Sequence, residues 1–304
     1  MNSSSRRSPL AGNSQLVVGL ALLCASAVLA PAAHATYPGK QGRIAYSAKP
    51  GACASDTDEC IFRRLATINP SGSGRRRLGL QGDDPSWSAD GRKIVAVDFR
   101  IDDHNSGDDS IVTVNRDGSG LRRLTGDSDG MNDSEPVWSP KGTTLLFTRR
   151  SLFSEGSDLY FVKADGTGPT KFLDSASSAS WSSTGRIAFV RNGDIYRVKA
   201  DGSGLKRLTG SRNEDGDPDW SPGGSKLIFT RGPFGGTHLY TMGADAKGLR
   251  RISRKCSRRA NPAWAPDAKR ILFEDSGDIR TANPNGSNGK KAGDGFAPAW
   301  GRQP

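Results

Sequence analysis

Residues able to do chemistry are sparse in this chain, and their types narrow what it can do. Two histidines follow residue 35, His104 and His238, each in a loop between expected strands. No Gly-x-Ser-x-Gly elbow, phosphate loop, dinucleotide fingerprint or zinc-ligand spacing is present. Ser119 and Ser203 stand in the two "DGSG" copies, where a hydroxyl serves turn geometry rather than nucleophilic attack. A catalytic reading therefore rests on His104, His238 and scattered carboxylates, the groups from which a carbohydrate lyase or peptide hydrolase can be built in a cavity.

Two loops are rich in acid, "DDHNSGDDS" from Asp102 and "DSDGMNDSE" from Asp127. Asp102, Asp103, Asp108, Asp109, Asp127, Asp129 and Asp133 offer the hard oxygen donors that Ca²⁺ takes, although neither loop has EF-hand spacing. A solvated, turn-rich loop is the competing reading, and no other cofactor is implied. Basic residues outnumber acidic ones, 43 to 32, for a formal charge of +11. They recur as Arg75-Arg76-Arg77, Arg122-Arg123, Lys206-Arg207, Arg250-Arg251 and Lys290-Lys291, each entering an expected outermost strand. Lys and Arg there protect an unpaired sheet edge, the alternative being a basic belt that attracts polyanions such as envelope polymers or nucleic acid. The stretch "RKCSRR" stands outside that period, so Arg254, Lys255, Arg258 and Arg259 form the candidate patch for an anionic ligand. Aromatic residues are not interleaved with these charges, which argues against nucleic acid. Cys53 and Cys60 bracket "CASDTDEC" and are the candidate disulfide in an oxidising compartment, leaving Cys256 over.

That compartment is implied by residues 1–35. Arg6 and Arg7 precede an apolar run from Leu16 to Ala30, and Ala33-His34-Ala35 fits a small-x-small cleavage site. Ser5-Arg6-Arg7 with Leu10 also fits a twin-arginine leader, though Pro9 stands where an aromatic is preferred. The expectation is export to the periplasm, the cell envelope or the medium, with no membrane span once the leader is removed.

The elements that hold these residues come from one repeat. Trp87, Trp138, Trp181, Trp220, Trp264 and Trp300 all occupy the same motif, as in "DPSWSADG" and "DPDWSPGG", 36 to 51 residues apart. Such a period fits one four-stranded propeller blade. The Trp segment is a strand, Ser-Pro-x-Gly a turn, and "KLIFT" an alternating second strand. A third strand such as "IYRVKADG" turns at Asp-Gly into a fourth, "LKRLTG". The Trp is suited to fill the space between stacked sheets. The first repeat, from "GRIAYSA", lacks a Trp strand, and the last Trp strand, "FAPAWG", has nothing after it. Together they make one composite unit.

The motif Pro-x-Trp-Ser-Pro-Asp-Gly, then "Ile-Tyr-x-Val-x-Ala-Asp-Gly", then "Arg-Leu-Thr" resembles the TolB-type propeller repeat, the WD40-like PD40 repeat. The resemblance covers residues 40–301 and implies a bare propeller, without the additional domain of TolB or the hydrolase domain of propeller peptidases. The expected fold is an all-β, six-bladed β-propeller closed by a C-terminal strand in the first blade. Its expected boundaries are a signal peptide at 1–35 and blade 1 at 40–82 plus 296–301. Blades 2 to 6 then fall at 83–134, 135–177, 178–216, 217–260 and 261–295. The expected function is a monomeric, non-catalytic scaffold that binds a protein or an anionic polymer of the envelope, a propeller enzyme with its site in the channel mouth being the alternative.

Overall fold

The computed structural model describes residues 36–49, 63–99, 109–126, 130–153, 155–233, 237–253 and 260–304. Every regular element among them is a strand. The chain begins with β1 (Gln41–Ala48), β2 (Arg64–Ile68), β3 (Arg76–Trp87), β4 (Lys93–Asp98), β5 (Ser110–Asn115) and β6 (Arg122–Arg123). Next come β7 (Met131–Trp138), β8 (Thr144–Ser151), β9 (Asp158–Lys163), β10 (Thr170–Leu173), β11 (Ser177–Trp181), β12 (Arg186–Arg191), β13 (Asp194–Lys199) and β14 (Lys206–Arg207). The remainder is β15 (Asp215–Trp220), β16 (Lys226–Arg231), β17 (His238–Gly243), β18 (Arg250–Arg251), β19 (Ala263–Trp264), β20 (Ile271–Asp275), β21 (Asp278–Ala282), β22 (Lys290–Asp294) and β23 (Phe296–Arg302). Among the described residues no helix is long and apolar enough to cross a membrane.

Hydrogen bonding joins these strands into five antiparallel sheets among the described residues, four of four strands and one of seven. The large sheet runs β23-β1-β2-β3-β4-β5-β6 because β3 serves two sets of partners. Its first half pairs with β2, Ala66 opposite Arg77, and its second half pairs with β4, Trp87 opposite Ile94. It therefore resolves into two four-stranded groups that share one long strand. The last strand joins the first, with Ile44 opposite Trp300.

Each Trp strand carries the same irregularity. The residue three before the Trp is left-handed although it is not glycine: Asp84, Glu135, Ser178, Asp217, Asn261 and Ala297, with φ between 39° and 54°. Pairing slips there between β3 and β4, β7 and β8, β11 and β12, and β15 and β16. This is a β-bulge, which bends the strand and increases its twist. The conformation costs non-glycine residues about 1–2 kcal/mol each, so packing must impose it.

That packing is the same at every seam. Trp138 lies in a cluster with Val95, Val97 and Ile111 of the preceding group, and Trp181 with Val137 and Leu146. Trp220 joins Ala188 and Ile195, and Trp264 joins Ile228 and Leu239. Trp87 meets Ala45 and Leu65, while Trp300 meets Leu272 and Ile279. All six rings are buried. All six indole N–H groups are also buried without an acceptor, so the ring is held by shape and apolar contact alone.

The Asp-Gly hairpin of the second group and its Ser-Gly counterpart in the first tile the same seams. A Cβ on Gly118 would lie 2.6 Å from the Leu78 carbonyl oxygen of the preceding group, and one on Gly72 would lie 2.9 Å from the Ala292 oxygen. Glycine there allows one backbone to rest on the next, besides turning the chain.

Trp220 is fully buried. Trp220→Ala is expected to cost about 3–5 kcal/mol in denaturant unfolding. Trp220→Phe is expected to cost clearly less, because no indole hydrogen bond is lost with it.

Candidate functional site

Second strands end, and fourth strands exit, on one face of the molecule, and there the sequence repeats an unremarked tripeptide: Phe147-Thr-Arg149, Phe189-Val-Arg191 and Phe229-Thr-Arg231. Each Arg stacks over the Phe two residues before it and over a Tyr of the third strand. The guanidinium carbon of Arg149 lies 5.2 Å from the Phe147 centroid and 5.1 Å from that of Tyr160. Arg191 takes the same place over Phe189 and Tyr196, and Arg231 over Phe229 and Tyr240. Alternation puts Phe and Arg on one side of the strand, and cross-strand pairing brings up the Tyr.

In two of these units the inner strand supplies a carboxylate, five residues before the Trp. Asp133 accepts from Arg149 Nε at 2.6 Å and from its NH2 at 2.7 Å. Asp215 does the same for Arg231, at 2.5 and 2.8 Å. The hydrogen bond to Asp215 raises the Arg231 pKa further above its ordinary value. In the first group Arg63 binds Asp83 at 2.5 Å and stacks on Phe296. The unit built on Arg191 breaks the pattern. Ala176 stands five residues before Trp181, and among the described residues no carboxylate meets Arg191. Its NH2 donates to the Asp174 carbonyl oxygen at 2.7 Å, and its Nε has no partner.

On the same face is a polar cleft of about 320 Å³, lined in part by Arg149, Glu155, Asp158, Tyr160, Lys171 and Ser175. Lys171 Nζ sits 2.7 Å from Asp158 and 2.9 Å from Asp174, and hydrogen bonds to both raise its pKa. Leu152 and Phe153 stand exposed at the rim, Phe153 at 85%. A larger, more apolar groove of about 780 Å³ opens between the third and fourth groups, on Pro140, Phe161 and Trp181. The tiling is looser at this seam, where a Cβ on Gly202 would meet nothing within 4 Å.

The candidates named from sequence are placed unevenly. Arg254, Lys255, Arg258 and Arg259 lie outside the described residues, as do His104, Cys53, Cys60, Cys256, Asp102, Asp103, Asp108, Asp127 and Asp129. Asp109 and Asp133 are brought together, the Asp133 N–H donating to the Asp109 carbonyl oxygen at 3.1 Å, but both Asp133 carboxylate oxygens are engaged by Arg149. Among the described residues no group of three or more His, Cys, Asp or Glu is arranged to hold a metal ion. His238 opens β17 opposite Arg231, with Nδ1 buried and unpartnered. The basic pairs of the fourth strands are exposed, and one member is often spent on an acid of its own group, Arg207 on Asp194 at 2.5 Å and Lys291 on Asp278 at 2.8 Å.

No protein-family model matches the sequence, and comparison with curated proteins gives no sequence relative. Solved structures do match in shape. TolB of Acinetobacter baumannii superposes with a TM-score of 0.70 at 18% identity, over 86% of this chain and 67% of that one. A chain of the nidogen/laminin complex gives 0.64 at 11% identity, over 86% and 98%. An oligogalacturonate lyase in complex with manganese gives 0.52 at 12%, over 76% and 71%. The fold is that of the TolB-type β-propellers.

Between the first and sixth groups lies Glu274, which burial pushes up to about 7, with Arg63 opposing that shift and Asp83 adding to it. A carboxyl raised in the folded state contributes stability below its unfolded pKa and loses it as pH rises through the folded value. The stability conferred by protonated Glu274 is therefore present at about pH 4 and gone above about pH 7. Glu274→Gln is expected to flatten the fall in melting temperature across that window, measured by thermal unfolding at several pH values.

Proposed function

We propose that this chain is an exported, six-bladed propeller that binds a protein or anionic polymer of the cell envelope and does no chemistry on it. Three observations support six blades in a closed ring. Each four-stranded group buries one Trp against the group before it, the last Trp strand pairs with β1, and the hairpin holding Gly72 rests on the fourth strand that ends the repeat series. Propellers are rigid scaffolds, and recognition on such scaffolds resides in the loops and rims.

The observation that carries the binding reading is Arg191. It is preset on two aromatic faces like its counterparts, yet no carboxylate answers it among the described residues. A guanidinium held in this way is a ready donor to a carboxylate or phosphate arriving from solvent. Lys171, the polar cleft and the exposed Phe153 lie on the same rim, giving a ligand charged and apolar contacts together. The basic net charge of the chain attracts polyanions to it.

Arg191 and Arg231 make a controlled comparison. Arg231→Ala is expected to destabilise the fold by about 3–5 kcal/mol, because it leaves Asp215 buried and unpaired. Arg191→Ala is expected to leave the melting temperature nearly unchanged while weakening binding to an acidic polysaccharide such as polygalacturonate severalfold, read by sedimentation with the polymer. Unchanged binding in Arg191→Ala would overturn the role given to this rim. Chain cleavage of the polymer in the same assay would favour the enzyme reading, which draws on the shared fold of the oligogalacturonate lyase.

A further inference from the structure

The axis of the ring is crossed by Thr36 and Tyr37, the residues that follow the expected cleavage site. The Tyr37 hydroxyl donates to the Trp138 carbonyl oxygen of β7. The Thr36 hydroxyl donates to Asp219 Oδ2 of β15 at 2.9 Å and lies 3.3 Å from the Trp264 carbonyl oxygen of β19. Gly39 N–H then donates to the Pro266 carbonyl oxygen. Two side chains thus tie together three Trp strands from different blades, and both are buried.

Asp219 is the unusual partner. It is fully buried, one residue before Trp220, where the other Trp strands carry Ser86, Val137, Ser180, Ala263 and Ala299. Its Oδ2 accepts from Thr36 and from the Trp264 N–H at 2.8 Å, while Oδ1 is buried without a well-formed hydrogen bond among the described residues. A charged carboxylate in such surroundings is stabilised by a nearby cation, and burial moves its pKa up to about 7 against the lowering by the Trp264 N–H, the Thr36 hydroxyl and the Trp220 N–H. Among the described residues the Tyr37 phenol is the titratable group coupled to it, itself raised by burial and by Asp219. The nitrogen of Thr36 is bonded to the same Cα whose side chain already touches Asp219.

The geometry points to Asp219 as the counter-ion for a new amino terminus. Hydrolysis of the Ala35–Thr36 bond by a leader peptidase breaks the C–N bond. Water supplies the oxygen that makes Ala35 a carboxylate, and the Thr36 nitrogen leaves as an α-ammonium. That ammonium pairs with Asp219 in the axis and locks the processed end of the chain across blades three, five and six. Before cleavage the same nitrogen is an uncharged amide, and Asp219 has no ionic partner there. Processing and stability of the ring are thereby coupled. The inference rests on the export reading, and cleavage and pairing can fail separately.

The test uses the protein recovered from its exporting host, together with two chains made without the leader. One starts at Thr36, and the other has Gly-Ser ahead of Thr36. Intact mass of the exported protein is expected to place its start at Thr36; a start at another residue would overturn the proposal and leave export standing, whereas a retained leader would overturn the export premise with it. The Thr36 chain is expected to melt several degrees above the Gly-Ser chain, with the gap closing when both carry Asp219→Asn. Should Asp219→Asn fail to fold, the α-amine reports directly. In the native Thr36 chain it is expected to react with an N-hydroxysuccinimide ester many-fold more slowly than after denaturation. A Thr36 start with no melting gap and a freely reactive amine would overturn the pairing and leave export standing.

Discussion

Burial of a tryptophan between neighbouring sheets is the interaction from which the remaining features follow. A four-stranded group has two faces and can cover neither by itself, so it is stable only against others of its kind. Each ring lies against the group before it, in apolar clusters such as that of Trp220 with Ala188, Ile195 and Leu208. Because the indole nitrogens make no hydrogen bond, the fit is one of shape. Packing of that kind tolerates little displacement, which explains how six non-glycine residues are kept left-handed at the bulge beside it.

Once the sheets are fixed, the rim inherits their regularity. Arg149 and Arg231 are clamped by bidentate carboxylates and aromatic faces, and these units serve the fold. Arg191 has the same rigid setting without an acid partner among the described residues. Function in repeat proteins is often found where one copy departs from the rest, since the scaffold preorganises a group that the copy no longer satisfies.

The fold was largely legible in the sequence, because tryptophan spacing, Ser-Pro-x-Gly turns and Asp-Gly hairpins are local signals. Pairing of "FAPAWG" with "GRIAYSA" could be inferred only by noticing that each end lacked what the other supplied. The rim was much less legible. Asp133 reads as a calcium donor in an acidic loop, yet its oxygens serve Arg149, 16 residues on across a bulge. The "FTR" and "FVR" tripeptides were a visible signal, but their meaning depends on a third-strand Tyr and an inner-strand Asp that no local window contains. The reach of Thr36 to Asp219 and Trp264 spans 183 and 228 residues, beyond any pattern in the chain. In the sequence the hairpin glycines mark only turns, and their second role, admitting the neighbouring backbone, needs three dimensions.

The proposed ring depends on β23 completing the group that β1 begins. Native-state hydrogen exchange of the amides in Gln41–Ala48 and Phe296–Arg302 tests this most directly. The account predicts that both strands exchange only through global unfolding, at the same free energy as β15 and β16. Exchange of Phe296–Arg302 at the rate of a frayed terminus, with β1 and β2 still protected, would contradict it.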